Sequence, residues 1–172
     1  MLSPAQMQTI WDLSDTVIYR EAVEFMHRLV KTDGNDPLPR SQVQGLLNIT
    51  GSSSYSQIEQ FILHQRDRQW TQRQRNIEVF YKELDKTFKA LKTQRLRREF
   101  HLVDEKALPQ KFLEQVDTLM VYIVREFLQH LIAENNLLLK EKEDQRRSNY
   151  PPRNNQPPRR YAATNPTARN IR

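Results

Sequence analysis

The stretch from Pro109 to Leu139, PQKFLEQVDTLMVYIVREFLQHLIAENNLLL, decides the fold. Apolar residues recur at Phe112, Leu113, Val116, Leu119, Met120, Ile123, Val124, Phe127, Leu128, Leu131 and Ile132. Steps of three and four repeat one face of an α-helix. The face is wide, so this helix must bury itself against several neighbours, as the central helix of a bundle does. Pro109 suits the first helical position, where a missing N–H is no loss. Arg125, Glu126, His130 and Glu134 interrupt the apolar run, so it is not a membrane span. The pattern fades after Leu139 into Lys140-Glu141-Lys142-Glu143-Asp144.

Upstream, four more helices are predicted. Ser3 as N-cap and Pro4 at the first position open helix 1. Its apolar side carries Met7, Ile10, Trp11, Val17, Ile18, Ala22, Phe25, Met26 and Leu29. It should run to about Lys31, before the turn residues Asp33-Gly34-Asn35-Asp36-Pro37. Helix 2, roughly Pro39 to Thr50, buries Val43, Leu46 and Leu47 and ends at Gly51. Ser54 is placed to cap helix 3. From Tyr55 to Leu108 there is neither Gly nor Pro. Thr71 followed by Gln74 has the spacing of a capping box. A break or kink near Trp70 is therefore predicted between helices 3 and 4; one unbroken helix of about 65 Å is the alternative. The reading is all-α: a bundle of about five helices over residues 1–144, followed by a disordered basic C-terminal tail over residues 145–172. That tail mixes Pro with Asn, Arg and Thr and has few groups to repay the entropy of folding.

The net charge of +6 is unevenly placed. Residues 145–172 hold seven Arg and no acid. Residues 64–98 hold 11 basic against 4 acidic residues, and the rest of the body is net acidic. Two basic zones on an acidic body hint at a polyanion partner. There is no cysteine, so disulfides and thiolate chemistry are excluded. Met1-Leu2-Ser3-Pro4 offers neither the basic region nor the apolar region of a secretory signal. A cytoplasmic protein is expected, with no membrane partner.

Little points to catalysis. His27, His64, His101 and His130 lack metal-ligand spacing, and three glycines cannot build a phosphate-cradling loop. No catalytic residue, no metal site and no cofactor are expected. The mid-chain cations are more informative. With about 100° per residue and an unbroken phase through Trp70, Arg68, Arg75, Lys82, Lys86, Lys89 and Arg97 share a band opposite the stripe of Trp70, Ile77, Leu84, Phe88 and Leu91. Glu78, Glu83 and Asp85 fall on its flanks. Such a row can follow a phosphate backbone. Reversing Lys82, Lys86 and Lys89 to Glu is then expected to abolish binding without unfolding the domain. Tyr55, Trp70, Tyr81 and Phe88 have the shape to stack on unpaired bases, but their helical spacing assigns them to the core.

The segment Leu38-Pro39-Arg40-Ser41-Gln42-Val43-Gln44-Gly45-Leu46-Leu47 resembles a short motif helix. It is the "leucine, threonine/serine, glutamine, apolar, two residues, leucine-leucine" helix of the small helical subunit of type III-A CRISPR effector complexes. His64-Gln65-Arg66-Asp67-Arg68 falls where that family has tyrosine-glutamine-alanine-glycine-arginine; Gln65 and Arg68 match, and Arg66-Asp67 replaces the small pair. The likeness spans roughly residues 15–132. It implies a helical bundle without catalytic activity, lined up in copies beside the guide–target RNA duplex and contacting its backbone. It implies Arg68 and Gln65 as contacts, other effector-complex proteins as partners, and self-association in a filament. The expected function is thus a non-catalytic nucleic-acid-associated subunit of a CRISPR-type ribonucleoprotein. The alternative is a helical protein–protein adaptor with a basic tail and no nucleic-acid partner.

Overall fold

The computed structural model describes residues 2–103 and 109–149, and among them five helices and no strand. Helix α1 covers residues 4–32. Ser3 caps it with both halves of a capping box: its hydroxyl accepts from the Gln6 N–H at 3.2 Å, and the Gln6 side chain accepts from the Ser3 N–H at 3.0 Å. Two π-helical turns, Ser14–Ile18 and Arg28–Thr32, interrupt its α-helical parts Pro4–Leu13 and Tyr19–His27. Gly34, at φ 71°, turns the chain into the left-handed region that glycine enters freely.

Helix α2 (Arg40–Thr50) starts one residue after Pro39. Gly51 ends it in right-handed geometry, without the left-handed turn usual for a terminal glycine. The exposed end carbonyls are met from elsewhere: the Arg125 guanidinium donates to Thr50 O at 2.8 Å and to Ser52 O at 3.2 Å. Helix α3 (Tyr55–Asp67) is capped by Ser54. A real break follows it. Residues Gln72–Gln74 form a 3-10 turn before α4, which covers residues 75–98 and contains a third π-helical turn, Leu91–Arg95. The Thr71 hydroxyl donates to the Gln74 side-chain oxygen rather than capping a backbone N–H.

Helix α5 (Pro109–Asn149) is 41 residues long, about 60 Å. It packs along α1, α2 and α3. Ser14, His27 and Lys31 meet Glu126, Glu134 and Glu141 in the same order, so α1 runs parallel to α5. Leu38 meets Asn135 and Thr50 meets Arg125, so α2 runs antiparallel to it. Phe88 of α4 packs edge to face on Phe127 of α5, and Phe25 of α1 does the same with Phe80 and Phe127. Leu119, Met120, Val124, Leu128 and Leu131 are fully buried, which makes α5 the central helix.

Four sequence expectations change. The helix continues through Gln145–Asn149, past the composition break at residue 145, because α-helical bonding needs no apolar face once it is nucleated. The tail assigned as disordered lies otherwise outside the described residues. Trp11 and Leu113, counted on apolar faces, are 55% and 65% exposed. Leu47 is exposed as well.

Candidate nucleic-acid interface

The break between α3 and α4 governs where the predicted cations go. Arg68 is the residue after α3, in extended geometry, so it does not share a helical phase with α4. Its guanidinium carbon sits over the Trp70 ring, 4.7 Å from the centroid, a cation–π contact. The Trp70 indole N–H donates to the backbone oxygen of Gln65 at 2.8 Å. That bond closes the turn and holds Trp70 half-buried against the core. The Gln65 side-chain oxygen is buried, with no hydrogen-bond partner among the described residues. Arg75 is the first residue of α4 and is exposed.

The lysines are placed differently from the sequence expectation. Lys82 meets Glu78 at 2.6 Å, Lys86 meets Glu83 at 2.6 Å, and Lys89 meets Asp85 at 2.8 Å. The flanking acids therefore reach into the band, because residues three and four apart are neighbours on a helix surface. That spacing was readable in the sequence. Arg97 is exposed at the end of α4 and has interactions of its own.

Residues 68–77 contain Arg68, Arg73 and Arg75 and no acid. All three arginines are exposed. They lead into the N-terminus of α4, where the helix dipole adds partial positive charge. The candidate interface is thus the α3–α4 turn, with the α4 face behind it nearly neutral. Arg73 was missed because it lies outside the helical-wheel band. A search for acid-free runs of arginine would have found it.

Two polar groupings escaped sequence reasoning because they form across helices. Asp85 is buried and takes Arg66 at 2.7 Å as well as Lys89; Arg66 also meets Asp67 at 2.7 Å. Burial alone would raise the Asp85 carboxyl, but the two cations hold it below the usual carboxylate range. Ser14, in the first π-turn, lies 2.8 Å from Glu126 and 3.0 Å from His130. Ser14 is 2% exposed.

Among the described residues no group of three His, Asp or Glu side chains is arranged to hold a metal ion, and no helix is long and apolar enough to cross a membrane. Comparison with protein-family models, with curated proteins and with solved structures finds no match to this chain.

Proposed function

We propose that this chain is a non-catalytic, RNA-associated subunit of a CRISPR-type ribonucleoprotein, working in the cytoplasm beside other effector-complex proteins and copies of itself. One observation carries the reading: Arg68, Arg73 and Arg75 stand exposed in residues 68–77, a segment without an acid that ends just before Glu78 in the first turn of α4. Arginine presents a planar fork of donors that matches phosphate geometry. Contact of this kind neutralises the backbone without reading sequence. The short motif likeness, which includes Arg68 and Gln65, supports the same reading.

Lys82, Lys86 and Lys89 contribute less to the field, since each shares its charge with a carboxylate. The exposed pairs are weak and can open, so these lysines add contacts once RNA is seated rather than drawing it in.

Fluorescence-polarisation titration of labelled RNA at two salt concentrations tests the reading. Three phosphate contacts should weaken binding by a little over one decade between about 50 and 200 mM salt. Replacing Arg68, Arg73 and Arg75 together by Ala should remove most of the binding, and replacing Lys82 and Lys86 should remove little. No binding at low salt, or an affinity that ignores salt, would overturn it.

A helical adaptor is the second reading. It is favoured by Trp11 and Tyr19, which stand 55% and 51% exposed on α1. Stable hetero-oligomers that survive nuclease, formed by a chain indifferent to added RNA, would select it.

A further inference from the structure

Beside the arginine turn lies a cleft of about 200 Å³. Trp70 and Val79 form its apolar lining, and both belong to the margin of the core. Thr71 and Gln72 add hydrogen-bonding side chains. Arg75 and Lys82 line it as well, with Glu78 the one acid among the described lining residues, 2.6 Å from Lys82. Two cations against one carboxylate leave the cleft net positive. Arg68 lies over the Trp70 ring yet does not line the cleft. Trp70 thus borders the cleft, while the guanidinium that stacks on its ring stays outside it.

The size is informative. Pockets for whole small-molecule ligands run to roughly 300–1,000 Å³. This cleft is smaller and suits one planar ring. A cation-flanked slot lined by an aromatic ring fits a polyanion that carries flat rings, and a simple anion would need no tryptophan. Trp70 is also held firmly, by its N–H bond to Gln65 O and by Arg68 on its face. A fixed ring spends no entropy on stacking, which favours the bound state.

We infer that the cleft takes one unpaired nucleobase, stacked against Trp70, with Arg75 on the adjoining phosphate. This rests on the RNA-associated reading and sharpens it. In a duplex the bases are already paired and stacked, so the site selects single-stranded RNA, or an unpaired nucleotide within a longer hybrid, over perfect duplex.

The test uses the full chain carrying Trp11→Phe. Only two tryptophans exist, so Trp70 then remains as the sole indole reporter. Trp11 is exposed, and its replacement leaves the core untouched. Three probes are titrated: single-stranded RNA, a perfect RNA duplex, and an abasic ribose-phosphate chain of equal length. Binding is read by polarisation and the site by indole emission. Single-stranded RNA should quench Trp70 and bind roughly five- to a hundred-fold more tightly than the abasic chain, the range expected from one base–aromatic stack. The abasic chain should bind without quenching. Trp70→Leu should lose the preference for single-stranded RNA, and Trp70→Phe should recover most of it. If RNA binds but the abasic chain binds equally well and the emission stays constant, the base slot is overturned and the backbone reading stands. If no probe binds, both fall.

Discussion

Asn135 of α5 closes a two-way hydrogen bond with the backbone of Leu38. Its side-chain oxygen accepts the Leu38 N–H at 2.7 Å, and its amide donates to the Leu38 carbonyl at 3.1 Å. Asn135 is fully buried, and no water can replace either bond. The pair pins the α1–α2 connection onto the central helix. Asn135→Ala strands a donor and an acceptor together. Each unsatisfied buried group costs about 1–3 kcal/mol, so a loss of about 2–6 kcal/mol is expected. Urea unfolding of the two proteins measures it. A loss below about 1 kcal/mol would mean the loop finds other partners.

Much of the fold was legible because its signals are local. Ser3 and Ser54 cap the helices that the sequence assigned to them, and the chain breaks next to Trp70. The apolar spacing of α5 marks the core because that helix has neighbours along most of its length. What was lost is the part that local spacing cannot carry. Periodicity places Trp11 next to the buried line of Ile10, Ser14 and Ile18, but not whether a neighbour covers that margin. A π-turn widens the helix by one residue and rotates the face that follows, so a wheel drawn at 100° drifts through α1 and α4. The same wheel treated Arg68 as part of α4. The Arg66–Asp85 bond joins residues on two helices, and nothing in either segment alone announces it.

The Ser14 hydroxyl has one proton and two polar neighbours. Glu126 can only accept when ionised, so Ser14 donates to it and receives a hydrogen bond from His130, whose Nε2 must carry the proton. Ser14→Ala removes both bonds at a buried position between α1 and α5. A loss of about 1–3 kcal/mol is expected by urea unfolding. An unchanged midpoint would show that the carboxylate draws its partners from solvent instead.

Stability should fall in acid, and Asp85 should account for part of it. Its carboxyl titrates lower in the folded chain than the unfolded value near about 3.9. A depressed carboxylate contributes stability that is full above the unfolded value and is lost as pH falls through the folded one. Asp67, Glu78 and Glu99 are depressed as well, each by a cation bonded to it. Unfolding free energy measured between about pH 6 and pH 3 should therefore decline below about pH 4. Asp85→Asn should begin less stable at neutral pH and decline less steeply. Parallel curves for the two proteins would show that Asp85 has no depressed titration.

Reversing the charge of the α4 lysines should separate binding from folding only if Lys89 is spared. Lys86 is 71% exposed in its side chain and meets the half-buried Glu83. Lys86→Glu breaks an exposed pair and should cost at most about 1 kcal/mol. Lys89 instead helps neutralise Asp85, whose side chain is 10% exposed. Lys89→Glu replaces that partner with a second carboxylate beside a buried one, leaving Arg66 as the remaining close cation. Lys89 is itself 55% exposed and Arg66 is retained, so the expected loss is about 1–3 kcal/mol. The sequence alone allowed all three lysines to be reversed without unfolding; the Asp85 cluster removes Lys89 from that set. The informative comparison is Lys82→Glu with Lys86→Glu against Lys89→Glu alone, followed by thermal unfolding. The double variant should stay folded and the single one should melt markedly earlier. Equal melting would mean that Arg66 by itself satisfies Asp85.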